Sequence, residues 1–164
     1  MSVSPSDGAP ASRGAGYELP LLLLAGFRAV IDEAHEELAA RGHPGLRPAH
    51  GFAMQAIGVF GATAADVGRR LGVSKQAAGK TIDRLIELGY AERGAAAADR
   101  RRKLVRLTPR GTEALTVSAQ AFDHVRARWA GLLGAERVAA IEEDLRAVTP
   151  GPALRLDIPG WLGG

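Results

Sequence analysis

Two short helix-forming segments separated by a glycine are the feature of this 164-residue chain that most constrains its fold. The first segment begins with Thr63-Ala-Ala-Asp66, a capping-box variant in which two side chains satisfy the free amide groups of a helix start. Gly72 suits the turn, and Ser74 is a good N-cap for the second segment. Apolar residues then recur at helical spacing as far as Leu88, just before Gly89. The pattern predicts a helix-turn-helix.

The second helix overlaps a near match to a nucleotide-binding motif. Its residues SKQAAGKT differ from the phosphate-loop pattern G-x-x-x-x-G-K-[ST] at one position, where Ser74 replaces the first glycine. A phosphate loop follows a buried apolar strand, whereas Asp66 to Leu71 are charged and helical in period. The helix-turn-helix interpretation is therefore favoured over a nucleotide site.

The polar face of the second helix carries Lys75, Gln76, Gly79 and Lys80, opposite its apolar stripe. Lysine can contact phosphate or guanine, and glutamine can pair bidentately with adenine in the major groove. Gly79 adds no bulk where a helix approaches DNA closely, although it lowers helix propensity. An ordinary amphipathic surface helix is the alternative, but we interpret this segment as a recognition helix.

A basic hairpin is predicted directly after this helix. Residues 90–93 and 103–107 have strand character around a glycine-led loop. The cationic residues at or near the predicted tip are Arg100, Arg101, Arg102 and Lys103. Arginine is favoured in a narrow minor groove, so such a tip beside a recognition helix suits DNA. A solvated charge run at a loop is the alternative interpretation.

The charge of the chain is unevenly distributed. Residues 63–111 contain twelve Lys and Arg against five Asp and Glu, whereas the remainder contains nine against thirteen. A basic middle segment is typical of a surface that binds a polyanion.

The chain has no cysteine, and its apolar run Leu19–Phe27 is too short to span a membrane. We therefore expect a cytoplasmic protein.

The remaining sequence predicts helices on both sides of this basic segment. Apolar spacing indicates helices over about 21–41 and 48–59. Thr108-Pro109 starts a long helix to about Leu132, and another follows Gly134. The expected organisation is a disordered tail at 1–16, helices at 17–60, the winged helix-turn-helix at 61–108, helices at 109–149 and an irregular tail at 150–164.

At this point the sequence resembles the MarR family of bacterial winged-helix transcription regulators. The resemblance is carried by Ser74, by Ile82-Asp83-Arg84-Leu85, by Leu88-Gly89-Tyr90 and above all by DRRRKLVRLTPRG at 99–111. The last stretch is similar to the family's wing signature, D-x-R followed by an apolar strand and L-T-x-x-G. The resemblance implies a mainly α fold with a small β-hairpin wing, and dimerisation through the first and last helices.

The resemblance also implies functional residues. Arg101 matches the wing-tip arginine for the minor groove, and Asp99 matches the acid that helps to hold the wing. Gly79 departs from the Ser or Thr usual at its position, and Ala95 to Ala98 replace more polar wing residues. The predicted DNA-binding residues are Ser74, Lys75, Gln76, Gly79, Lys80, Arg84, Arg100, Arg101, Arg102 and Lys103.

The function implied is that of a homodimeric repressor, without enzymatic activity or a cofactor, that binds double-stranded DNA at a pseudo-palindromic operator. Relatives often respond to small aromatic or anionic ligands bound between the dimer helices and the DNA-binding lobe. The candidate pocket residues are Phe27, His35, Phe52, Gln55 and Trp129, for which a purely structural role in the core is the alternative.

Three other functions are kept as alternatives. Some relatives sense metals, and His35, His43, His50 and His124 could contribute ligands, although no HxxxH or HxH spacing appears and no metal site is predicted. A small enzyme is a second alternative, but no nucleophile with its base and orienting group is evident in the local sequence. The third is a winged-helix module that acts by protein contact alone.

Overall fold

The computed structural model describes residues 15–94 and 104–149 of the chain. These residues form a mainly helical fold with one two-stranded antiparallel hairpin. In chain order the elements are α1 (Ala15–Ala40), α2 (Pro48–Ile57), α3 (Ala64–Leu71), α4 (Lys75–Glu87), β1 (Ala91–Gly94), β2 (Leu104–Leu107), α5 (Pro109–Leu133) and α6 (Ala135–Val148). The predicted fold class is confirmed.

The helix-turn-helix is built as its capping residues predict. The Thr63 hydroxyl accepts a hydrogen bond from the Asp66 amide at 3.2 Å, and the Asp66 carboxylate accepts one from the Thr63 amide at 3.1 Å. Gly72 adopts the left-handed conformation, φ 70°, that ends α3. The Ser74 hydroxyl then accepts from the Ala77 amide at 3.1 Å. Since a helix precedes Ser74, the stretch at 74–81 lacks the strand of a phosphate loop.

The wing is anchored to the rest of the lobe at its base. β1 and β2 pair in the register Ala91 with Leu107 and Gly94 with Leu104. Ala62, in the α2–α3 connection, forms an additional bridge to Val105, with both backbone hydrogen bonds at 2.9 Å. This third extended segment was not predicted from the sequence. It holds the loop before α3 against the inner strand of the wing.

The L-T-x-x-G stretch joins the wing to α5. The Thr108 hydroxyl accepts from the Gly111 amide at 3.1 Å and donates to the Gly89 carbonyl at 2.6 Å, while its amide donates to the Tyr90 carbonyl at 3.1 Å. A Cβ at position 111 would overlap the Tyr90 carbonyl. The threonine thus caps α5 while the glycine lets the helix approach the hairpin. The motif has a clear structural role at this junction.

One contiguous core connects the winged lobe to the flanking helices. Its largest fully buried side chains are Tyr90, Met54, Ile57, Leu85 and Val67. These side chains come from α2, α3, α4 and the residue that precedes β1, so the orientation of the lobe depends on their mutual packing. Fixed packing of this kind keeps α4 in one position relative to the wing.

A polar and aromatic junction links the α1–α2 loop to the same lobe. Arg110 donates to the Gly42 carbonyl at 3.0 Å, and its guanidinium lies 4.9 Å from the Tyr90 ring centroid. The buried ring of His43 packs 5.7 Å from that of Tyr90. These contacts tie the long helix α5, the start of the wing and the end of α1 together.

The first helix begins earlier than predicted. The sequence suggested a start near Leu21, whereas α1 runs from Ala15 and contains Pro20. Proline removes one backbone donor within a helix and normally marks an end or a start, which is why the pattern was placed after it.

No helix among residues 15–94 and 104–149 is long and apolar enough to cross a membrane.

The close approach at Gly111 gives a stability test. We expect Gly111→Ala to destabilise the protein by about 1–3 kcal/mol, because the new methyl group must displace the Tyr90 carbonyl. Gly51→Ala in α2 is the matched control, since its Cβ meets nothing within 4 Å. Urea unfolding should show the control to be neutral or stabilising. Equal stabilities of the two variants would contradict the assigned contact.

Candidate nucleic-acid interface

The helix α4 has one buried and one exposed face. Ala78, Ile82 and Leu85 are buried in the core. The side chains predicted to read or contact DNA point the other way, and the exposed ones are Ser74, Lys75, Gln76, Lys80 and Arg84. The structure therefore brings these predicted residues together on one accessible helix surface. Their roles in DNA binding remain predictions.

Gly79 lies on the same helix with no atom near the position of a Cβ. Gly68 in α3 contrasts with it, because a Cβ there would stand 2.8 Å from the Val73 carbonyl oxygen. Gly68 is thus required by the tight approach of the turn to α3, whereas Gly79 is not required by any contact within the described residues. An external surface that approaches α4 closely would account for the smaller residue.

An ion pair connects α4 to the wing. Arg93 of β1 donates to the Asp83 carboxylate at 2.7 Å, with both side chains more than half exposed. An exposed pair of this kind contributes little to stability, on the order of 1 kcal/mol or less. It does show that the wing base lies beside the helix that carries the cationic face. Sequence reasoning missed this pair, because neither residue follows a local pattern.

An open groove lies beside the Asp83–Arg93 ion pair. It lies between α3, α4 and the wing base, and its walls include Thr63, Lys75, Gly79, Arg93 and Val105. The groove therefore shares residues with the cationic face of α4. The wing-tip predictions, Asp99, Arg100, Arg101, Arg102 and Lys103, lie outside the described residues.

A second candidate site is a small apolar cavity between α1, α2 and α5. His35, Phe52 and Gln55 line it, together with residues such as Leu38 and Phe122. Within it His35 is held by a hydrogen bond between its Nδ1 and the Ile31 carbonyl at 2.7 Å. Phe27 and Trp129 are not among its lining residues. The structure thus brings three of the five candidate pocket residues together.

The four histidines lie in different surroundings. His43 and His50 are buried, His35 lines the apolar cavity, and His124 pairs with Glu37 of α1 at 3.1 Å. Within residues 15–94 and 104–149, no three His, Asp or Glu side chains come together as a metal site would require.

The fold and this surface define a winged helix-turn-helix protein. Residues 45–102 match the sequence model of the MarR family, so the winged-helix segment carries the signature of that family. A search of curated protein sequences gives no match. The match begins just before α2 and leaves α1, α5 and α6 outside it.

Several solved structures have the same fold. The chain is 24% identical to a mutant of MarR from E. coli complexed with operator DNA, with a TM-score of 0.65 and coverage of 81% of this chain and 94% of that one. It is 19% identical to FabT from Streptococcus pneumoniae in complex with DNA, with a TM-score of 0.66 and the same coverages. For RV1404 from Mycobacterium tuberculosis the identity is 21%, the TM-score 0.66 and the coverages 88% and 99%.

The capping box before this surface gives a pH prediction. Hydrogen bonds from the Thr63 side chain, then from Arg69 and the Thr63 backbone, lower the pKa of Asp66 from 3.8 to about 2. Because the pKa is depressed in the folded state, the stabilisation is present above pH 3.8 and is lost as the pH falls towards about 2. We expect Asp66→Asn to flatten the dependence of unfolding free energy on pH in this window.

The measurement is urea unfolding of wild type and Asp66→Asn across that pH range, with Asp144→Asn in α6 as the control. The control should retain the wild-type profile. An Asp66→Asn profile as steep as that of the wild type would show that the box does not hold the ionised carboxylate.

Proposed function

We propose that this protein is a DNA-binding transcriptional regulator that uses α4 as its recognition helix. The observation that supports this most directly is the exposed cationic face of α4, which core packing holds beside the wing. Two of the similar structures, those of MarR and FabT, are complexes with DNA, which supports the proposal. The basic charge of residues 63–111 is consistent with a polyanionic partner.

The contacts divide into two kinds. Lys75, Gln76 and Lys80, near the start of α4, would reach base edges in the major groove, where Gly79 allows the backbone to come close. Arg84 and the wing cations at 100–103 would contact backbone phosphates or the minor groove. The first set determines sequence preference, while the second contributes affinity that falls with salt.

The experiment is a mobility shift with duplexes selected from the DNA around the protein's own gene, over a series of salt concentrations. Affinity should fall steeply with salt, and Arg84→Gln should weaken binding and reduce the magnitude of the slope by about one, because it removes one phosphate contact. Arg146→Gln makes the same charge change on α6 and should leave the slope unchanged. Salt-independent binding, or no binding to any duplex, would contradict the proposed function.

We further propose that the protein works as a homodimer through α1, α5 and α6. Contacts of Arg128 with Glu33, His124 with Glu37 and Arg41 with Gln120 show that α1 and α5 run antiparallel. By this register the first half of α1 extends past the end of α5, and no other long helix among residues 15–94 and 104–149 covers it. Large apolar side chains are exposed on α1, α5 and α6, and they are Tyr17, Leu19, Leu21, Leu22, Leu23, Leu24, Phe27, Leu132, Leu133, Ile141, Leu145 and Val148.

An apolar surface of this size is more than a monomer normally exposes, and a second copy would bury it. Two-fold symmetry would then present two α4 helices to successive major grooves, about one helical turn apart. Pseudo-palindromic operators are the matching targets. Repression by blocking access to a promoter is the simplest outcome of such binding.

The dimer proposal is tested by Leu22→Glu, which places a charge in the exposed apolar surface of α1. We expect the variant to remain folded and to become monomeric, because a buried, unpaired carboxylate costs several kcal/mol in an interface. Phe60→Glu, at an exposed apolar position outside α1, α5 and α6, is the control and should remain dimeric. Light scattering and sedimentation measure the oligomeric state of both variants and of the wild type. A monomeric wild type would exclude the proposed assembly.

The cavity lined by His35, Phe52 and Gln55 is the proposed effector site. It lies between α1, α2 and α5, so a ligand there would contact both the dimer helices and the helix that supports α4. Such a ligand acts only if it binds one spacing of the two recognition helices more tightly than another. Its lining is mostly apolar, which suits a small aromatic molecule, but its volume of about 30 Å³ would have to increase by separation of the helices to admit one.

A further inference from the structure

Gly79 leaves a gap on the outer face of α4, one helical turn after the exposed Lys75. A Cβ at position 79 would have no atom of a neighbouring side chain or segment within 4 Å. Glycine lowers the stability of a helix interior relative to alanine, because its backbone loses more freedom on folding. The chain therefore carries a residue that weakens α4 and that no contact among residues 15–94 and 104–149 requires.

The gap opens into the groove between α3, α4 and the wing base. Two of the residues that line this groove, Ile82 and Val105, are each only 2% exposed, and Ala64 and Ala65 of α3 line it as well. Together with the backbone of Gly79, they give the groove an apolar lining beside the polar face of α4. An apolar group that entered from outside would leave water and meet apolar atoms here.

The charged residues of the groove do not form an anion site. Among its described lining residues two are basic, Lys75 and Arg93, and two are acidic, Asp66 and Asp83. The Asp83 carboxylate pairs with Arg93 at 2.7 Å, and the Asp66 carboxylate accepts hydrogen bonds from Thr63. A phosphate inside the groove would be repelled by both carboxylates. The edge of a base is therefore a better occupant than the DNA backbone.

We propose that Gly79 determines part of the sequence preference of this protein by receiving the C5 methyl group of a thymine. That methyl group is the apolar group that base pairs present in the major groove, where the other features are hydrogen-bond donors and acceptors. The missing side chain gives the methyl group space, and the apolar lining removes it from water. The inference rests on the proposed function, because it requires α4 to lie in the major groove.

Gly79→Ala fills the gap with a methyl group that belongs to the protein. Without DNA the variant should melt about 2–4 °C above the wild type, because alanine favours the helix and its Cβ meets no neighbour. Gly51→Ala in α2 is the matched control, since its Cβ position is also open and it lies outside the groove. A lower melting temperature for Gly79→Ala would show that the gap is not open and would contradict the inference.

The test on DNA replaces each thymine of one half-site by uracil, one at a time, in a duplex that the wild type binds in the mobility-shift experiment. Uracil keeps the base pairing and lacks only the methyl group. At one position the replacement should weaken wild-type binding about fourfold, the loss expected for burial of one methyl group. Gly79→Ala should bind the thymine duplex about tenfold more weakly than the wild type, because two methyl groups would compete for one space. It should bind the uracil duplex at least as tightly as the wild type does, whereas Gly51→Ala should repeat the wild-type result on both duplexes.

The other outcomes overturn the inference. If no uracil replacement weakens wild-type binding, no thymine methyl group is buried at the interface. If the same replacement weakens the wild type and Gly79→Ala equally, the methyl group contacts another part of the protein. If Gly79→Ala binds the thymine duplex as tightly as the wild type, the gap is not filled in the complex. Each of these results leaves the proposed DNA-binding function intact, whereas failure to bind any duplex overturns both.

Discussion

The tight turn between α3 and α4 is the constraint on which the rest of the winged lobe depends. Gly72 reverses the chain in the left-handed conformation, and the Val73 amide donates to the Gly68 carbonyl at 2.9 Å. Gly68 has no Cβ to oppose this approach, so the start of α4 is brought against α3. The apolar face of α4 is then directed into the core, and its polar face must point outward. The accessible surface is a consequence of this packing.

Much of the fold could be predicted because the signals are local. Thr63, Ser74 and Thr108 each cap a helix that begins directly after them, and Gly72 and Gly134 separate helices where expected. The start of α1 could not be placed, since Pro20 is locally a helix breaker and its tolerance within α1 depends on context. The bridge between Ala62 and Val105 was also missed, because single residue pairs distant in sequence leave no periodic signal.

The features of the candidate site also differ in how far the sequence predicts them. The cationic face of α4 was visible in the sequence, because helical periodicity alone separates Lys75, Gln76 and Lys80 from the buried stripe. The Asp83–Arg93 pair was not, because it requires side chains from separate elements to meet.

The position of α4 relative to the wing depends on packing more than on ion pairing. Asp83 and Arg93 are both more than half exposed, so their pair contributes little to the free energy of unfolding. Ala78, Ile82 and Leu85 are instead buried in the same core as Val105 of the wing, and this packing favours a constant distance between the two proposed DNA-contacting elements. A ligand would change the affinity for DNA only if it binds one arrangement of this packing more tightly than another.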